Sequence, residues 1–229
     1  MKWTALLLGL SLLVTSCGST KKERMVEDEE NEDIEREFVV KNASSKYRPG
    51  WIEDAEVWAK GHDIDTGTFR YFSFETEPKV GRGVACNIAK ANVRADIAAE
   101  ISTFIDKQFA SVVEGNSSID ENNPDVKALK EYVENSLVEK VKSLIHGASV
   151  VKTYWEKRKY EEDRGAKRDF TAWTCAVFVR MKSDRLDKSV NDAAALVMER
   201  AKNENLKDKL NQSLARASEN FKKSQKGKL

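Results

Sequence analysis

The sequence predicts an α+β fold: a small three-stranded, mostly antiparallel sheet packed by helices in the order strand, helix, helix, strand, strand, helix, with a long C-terminal helical extension. Three observations predict it. The aromatic run Phe69 to Glu75 is short, is bounded by Gly67 and Pro78, and reads as a strand. Two longer stretches, from Val84 and from Pro124, carry apolar residues at helical spacing. Two β-rich segments follow, Ala148 to Glu156 and Phe170 to Met181, the second with side chains alternating between two faces. Sheets and amphipathic helices bury their apolar faces against each other, so a sheet with helices on it is the economical solution.

The chain starts with an address label. Met1-Lys2-Trp3 supplies a charged start, and Thr4 to Val14 is apolar apart from Gly9 and Ser11. A spanning helix needs roughly 20 apolar residues, so this run suits a signal peptide over residues 1–16. Val14-Thr15-Ser16-Cys17 resembles the lipobox of bacterial lipoproteins, an aliphatic residue and two small ones before a cysteine. The resemblance implies diacylglycerol on the Cys17 thiol, cleavage before it, and acylation of the new amine. Such a protein is held by membrane lipid through acylated Cys17, since several acyl chains exceed what stable anchoring requires. Gly18 stands where an aspartate retains enteric lipoproteins in the inner membrane, which points to the outer membrane, on its periplasmic or surface side.

Residues 17–47 read as an acidic tether. Between Lys21 and Glu37 nine acids face four bases with almost no apolar content, so the segment is predicted to stay disordered and extended. The folded part is predicted over residues 48–202. Arg48-Pro49-Gly50-Trp51 opens it, and Trp51, Val57 and Trp58 supply apolar anchors. Gly61 to Gly67 reads as a turn before the aromatic strand, and Gly81-Arg82-Gly83 as a loop after it. From Val84 to Val113 the stripe is Ile88, Ala91, Ala95, Ala98, Ile105, Phe109 and Val112, with Ile97, Ile101 and Phe104 widening it. Its alanine-rich first half allows close approach to another surface. Asn123-Pro124 reads as an N-cap with proline at the first helical position, starting a second helix that Gly147 stops.

The charged link Lys157 to Asp169 suits a long hairpin loop between the paired strands. Along the return strand Thr171, Trp173, Cys175, Val177, Val179 and Met181 face one way and Phe170, Ala172, Ala176 and Phe178 the other, so both faces are expected to be covered in places. Ser183-Asp184 caps a third helix whose stripe runs from Leu186 to Ala201 and loses phase near Asn203. A step of five residues from Ala201 to Leu206 turns the apolar face by about 140°, which predicts a kink, a break or a new packing partner. Residues 203–229 then form a C-terminal helix, striped by Leu206, Leu210, Leu214, Ala217 and Phe221, and a basic tail from Lys222 to Lys228.

Net charge is +1, which gives no reason to expect nucleic acid as a partner. Chemistry is scarce. His62 and His146 are the histidines; His62 sits in a polar turn and His146 before Gly147, near a helix end. No cysteine or second histidine stands at zinc spacing, so no metal, cofactor or catalytic residue is assigned. Gly81-Arg82-Gly83 before a helix could cradle an anion or serve as a hinge. Glu161, Glu162 and Asp163 lie among Arg158, Lys159 and Arg164 and read as solvated loop charge. With Cys17 acylated, Cys86 and Cys175 remain; they form a disulfide if the first helix starts beside the last strand, and are otherwise two buried thiols.

Three stretches carry a family resemblance. Val84-Ala85-Cys86-Asn87-Ile88-Ala89-Lys90-Ala91-Asn92-Val93-Arg94-Ala95-Asp96-Ile97-Ala98 is similar to the alanine-rich first helix of small envelope lipoproteins named for a twenty-kilodalton antigen, a group related to the N-terminal domain of flagellar assembly protein T. Gly147 to Trp155 and the return strand Thr171 to Val179 also resemble that family, so the likeness covers roughly Trp51 to Val190. It departs before the helix, where the family has a short glycine-containing strand and this chain has Phe69 to Phe74 and Pro78. The resemblance implies a strand-helix-strand-strand core and an envelope location, and carries over no catalytic residues.

The expected function is therefore a non-enzymatic, lipid-anchored binding or assembly module that engages an envelope protein, with the stripe from Leu206 to Phe221 docking on a partner or on the domain itself. The alternative is a small-ligand or lipid-binding domain, its pocket lined by the Phe69 to Phe74 aromatics and Trp155. An envelope hydrolase would need a nucleophile beside a base, and no such pair is recognisable.

Overall fold

The computed structural model describes residues 36–225. The signal segment 1–16, Cys17, the tether as far as residue 35 and the last residues of the basic tail lie outside the described residues.

The elements run β1 (Phe38–Ala43), α1 (Ala55–Gly61), β2 (Phe69–Glu75), α2 (Arg82–Glu114), α3 (Pro124–Asn135), α4 (Leu137–Leu144), β3 (Ser149–Tyr160), β4 (Phe170–Lys182), α5 (Ser183–Arg200), α6 (Glu204–Leu214) and α7 (Ala217–Gln225). A 3₁₀ turn at Gly50–Ile52 precedes α1. The sheet has four strands in the order β1-β3-β4-β2, all neighbours antiparallel.

The mixed α/β character matches the sequence expectation, and the strand count does not. The fourth strand is β1, inside the segment read as tether. Phe38, Val39 and Val40 follow directly on the acidic run, and β3 continues to Tyr160, past the expected end at Glu156. That extension offers open backbone, and β1 pairs with it from Phe38 opposite Tyr160 to Ala43 opposite Glu156. Their rings meet at 5.3 Å. Three strands thus become four, and the hairpin loop shortens to the residues between Tyr160 and Phe170.

β4 lies between β3 and β2 and is covered on both faces, as its alternation predicts. Cys175, Val177 and Val179 pack with Ala85, Ala89 and Val93 of α2. Ala176 and Phe178 face the other way and pack with Trp51, Ala55 and Ala59. The expected stripe of α2 is corrected in its first half: Ala91 is exposed and Ala95 only half-buried. The stripe there is Ala85, Ala89 and Val93, because this part of the helix meets the sheet, whereas its second half meets other helices. Val57, expected as an anchor, is 63% exposed.

At 33 residues, α2 is about 50 Å long and reaches beyond the sheet. Around its far half α3, α4, α5, α6 and α7 build the main core, centred on Ile101, Ile105, Phe109, Leu137, Val190 and Leu210. The helix expected from Pro124 to Gly147 is two helices, broken at Ser136. After α5 the chain stops at Arg200 and restarts with Asn203 as N-cap, its side chain accepting from the Leu206 N–H at 2.9 Å. The expected long C-terminal helix is therefore a pair, α6 and α7, and Leu206, Leu210, Leu214, Ala217 and Phe221 are buried in the main core. This stripe docks on the domain itself and is not a free surface for a partner.

Cys86, in the second turn of α2, is joined to Cys175 of β4, with Cα atoms 5.0 Å apart and a sequence separation of 89. Closing a loop of that length removes much freedom from the unfolded chain. Changing Cys86 and Cys175 together to serine is expected to lower the free energy of unfolding by about 2–4 kcal/mol, measured by urea titration. The wild type should lose a similar amount on adding reductant.

Candidate functional site

Inward positions of a strand lying over a core are ordinarily apolar. On the α1 face of the sheet β3 breaks that rule. Tyr154, Glu156, Arg158 and Tyr160 alternate toward that face, and Glu156 is only 3% exposed. A lone buried carboxylate is costly, so its partners define the region. Arg158 donates from Nε to Glu156 at 2.7 Å and from a terminal nitrogen to Glu75 of β2 at 2.8 Å. Arg48, from the segment between β1 and the 3₁₀ turn, donates to Glu75 at 2.6 Å and to Glu156 at 3.4 Å. The Tyr154 hydroxyl donates to Glu156 at 2.9 Å. Two guanidinium groups and two carboxylates thus tie β1's trailing segment, β2 and β3 together.

The network moves acidities in the directions its geometry requires. Burial favours the neutral Glu75 carboxyl, but the hydrogen bond and charge of Arg48, with Arg158 adding to them, prevail and hold it below the ordinary carboxylate range. Burial first, then the bond to Glu156 and its charge, push the Tyr154 phenol well above its usual value. Tyr154 is a fixed O–H donor, not a base.

Arg48 also leads to a cleft of about 370 Å³. Its walls are Ser44, Ser45 and residues 47–51, Trp58 and His62 of α1 and its cap, and Lys152–Tyr154 of β3. Ser44 continues the β1 ladder beyond Ala43, its N–H donating to the Trp155 carbonyl at 3.0 Å and its hydroxyl accepting from the Trp155 N–H at 3.1 Å. Trp51 and Tyr154 are buried at the base, and Tyr47 is 40% exposed at the mouth. Asp54 caps α1, accepting from Val57 N–H at 2.8 Å, and so orients Trp58. His62 stacks on Trp58 with ring centres 4.0 Å apart. Its Nδ1 lies 2.8 Å from the Trp58 carbonyl. A carbonyl only accepts, so Nδ1 carries the hydrogen and Nε2 is the ring atom left for other contacts. The Lys152 ammonium lies 4.5 Å from the Trp58 ring centre. No carboxylate lines this cleft.

The aromatics expected to line a pocket do otherwise. Tyr71 stacks on Phe178 at 5.2 Å in the core, and Trp155 packs against Trp173 at 5.4 Å on the α2 face. Of the other singled-out residues, His146 is exposed beyond α4. Gly81 is the backbone N-cap of α2, and Arg82 lies 5.1 Å from the Trp155 ring. Glu161 pairs with Lys159 at 2.8 Å and Arg164 at 3.1 Å, but Arg158, assigned with them to the solvated loop, is drawn into the network. Its signal in the sequence was the alternation Tyr154, Glu156, Arg158, Tyr160 running past the expected strand end.

Among the described residues no group of three or more metal-binding side chains is close enough to hold an ion, and no helix is long and apolar enough to cross a membrane. No family model, curated protein or solved structure matches the chain.

Removing one partner of a buried ion pair strands the other, which costs about 3–5 kcal/mol. Glu156→Gln is expected to destabilise by the lower part of that range, read from the urea midpoint. The acid response follows from Glu75. Its folded value is depressed below the ordinary 4.5, so its contribution is complete above that pH and is lost as pH falls through the depressed value. Urea titrations between neutrality and acid should show stability falling below that range, with a shallower fall in Glu75→Gln.

Proposed function

We propose that this chain is a lipid-anchored, non-enzymatic binding module of a bacterial envelope, acylated at Cys17 and facing the periplasm or exterior, with the outer membrane as its site. The lipobox-like Val14-Thr15-Ser16-Cys17 supports the anchor. The Cys86–Cys175 bridge supports an oxidising compartment, where such bonds persist. Residues 18–37 lie in sequence between Cys17 and β1, a contour of no more than roughly 70 Å at about 3.6 Å per residue.

The observation that carries the binding reading is the cleft beside Trp58. Lys152 apart, most of its polar groups are already committed: Arg48 to Glu75 and Glu156, Tyr154 to Glu156, His62 Nδ1 to the Trp58 carbonyl, and the Ser45 hydroxyl to the Tyr47 carbonyl. They are arranged to hold shape, and the Tyr154 hydroxyl, bonded to Glu156, is held in its protonated form. With the stripe of α6 and α7 consumed by the core, this cleft is the leading surface for engaging an envelope protein. A second reading, a small-molecule ligand, is favoured by its volume, which lies within the range of small-ligand sites.

Mass analysis of the N-terminal peptide from a lipoprotein-processing host should show Cys17 as first residue with acyl chains attached. Cys17→Ser should leave the membrane fraction. An unmodified thiol, or membrane retention of that variant, would overturn the anchor. A photo-crosslinking side chain at position 47 should trap one partner in intact cells, and the same group at exposed Val57 should not; equal labelling would remove the cleft as the contact.

A further inference from the structure

We infer that the cleft beside Trp58 selects a small organic anion bearing a flat apolar ring. The inference rests on the small-ligand reading above and adds the sign of the ligand's charge and the shape of its body.

The body follows from the walls. Tyr47, Trp51, Trp58 and Tyr154 line a space of about 370 Å³. Aromatic faces gain most from a flat apolar partner that covers them. A box of aromatics alone would equally suit a quaternary ammonium, which is drawn to the negative ring faces. Here the charged side chains decide the sign. Lys152 already stands 4.5 Å from the Trp58 ring centre, and a second cation on that ring would be repelled.

Lys152 is exposed and forms no ion pair among the described residues, so its charge is available. The acids nearby do not compete for it. Glu75 and Glu156 lie behind Arg48 and Arg158 and are neutralised by them. Glu53 is outside the wall, 3.3 Å from Arg48 Nε. Asp54 accepts from the α1 backbone. With Nδ1 donating to the Trp58 carbonyl, Nε2 of His62 is an acceptor and offers an anion no hydrogen, so Lys152 carries the charge contact. An anionic head at Lys152, with its ring against the aromatic wall of Tyr47 and Trp58, uses the charge and the lining together. A cationic head finds no carboxylate.

The test keeps the ring constant and varies the charge. Calorimetry on the mature domain, disulfide intact, would compare 2-naphthoate, 2-naphthalenemethanol and (2-naphthylmethyl)trimethylammonium, with acetate as the anion lacking a ring. The Trp58 indole N–H resonance would mark the site. Naphthoate is expected to bind about tenfold tighter than the alcohol, the scale of one charge-assisted contact, and acetate and the ammonium more weakly than either. Lys152→Gln should erase the preference for naphthoate over the alcohol. Lys157→Gln, which removes the cation 5.6 Å from Trp173 and outside the cleft, should preserve it. Trp58→Leu should weaken naphthoate and alcohol alike, and because Lys152 is exposed its variant remains informative even if Trp58→Leu fails to fold. Equal binding of all three charges, or tightest binding of the ammonium, would overturn the anion assignment and leave the cleft as a binding site. Acetate binding as well as naphthoate would overturn the ring. No saturable binding by any probe at millimolar concentration would overturn the inference together with the small-ligand reading.

Discussion

A strand buried on both faces and paired along both edges must be covered from every side, and β4 is such a strand. Much of the architecture follows from that. Its odd-numbered side chains, from Cys175 to Val179, need a surface that can come close, and the small Ala85 and Ala89 of α2 provide it. Its even-numbered ones, Ala176 and Phe178, need bulk, and Trp51, Trp58 and Tyr71 gather on Phe178 with ring centres 5.2–5.5 Å away. The disulfide from α2 to Cys175 fastens the first of these layers covalently.

The two layers are unequal, and the cleft exists because of it. α2 runs 33 residues along and past one face. The other face has only the 3₁₀ turn and the seven-residue α1. What they leave uncovered toward β1 is closed by charge: Glu75, Glu156, Arg48 and Arg158 fill the space where apolar side chains would otherwise be needed. Such a cluster is weak support for net stability but holds its members in one arrangement. Beside it stand aromatic walls, with Lys152 over the Trp58 ring and in no ion pair among the described residues. A site of this kind is made by the edge of a packing layer.

The helical half has a different role. The far part of α2 collects α3 to α7 into one apolar core, and the last two helices fold back to complete it. An amphipathic stripe near a chain end invites the idea of an external partner, yet here Phe221 meets Phe104 of α2 at 5.3 Å. Burial within the chain satisfies the same apolar face without losing the freedom of a second molecule.

Legibility in the sequence tracked how local each cause was. β2 ran over the residues expected, because aromatics between a glycine and a proline settle a short strand locally. The alternation of β4, the proline start of α3 and the phase slip at Asn203 were legible for the same reason: each depends on neighbours in the chain. β1 was missed because its apolar content is three residues, too few to form a strand until the extended β3 offers it a ladder. The stripe of α2 was misplaced because a helix that changes partner midway changes which side is inward. The Cys86–Cys175 bond was open at the level of sequence, since the pair stands at a sequence separation of 89 and only the packing of α2 on β4 brings their Cα atoms to 5.0 Å. The cleft belongs to the same class. Residues near 48, 58, 75 and 154 have no local reason to meet, and a buried ionic cluster resembles solvated loop charge until a sheet closes over it. Local chemistry determined most of the elements; long-range packing alone decided the site, because burial and charge pairing are properties of space and not of order along the chain.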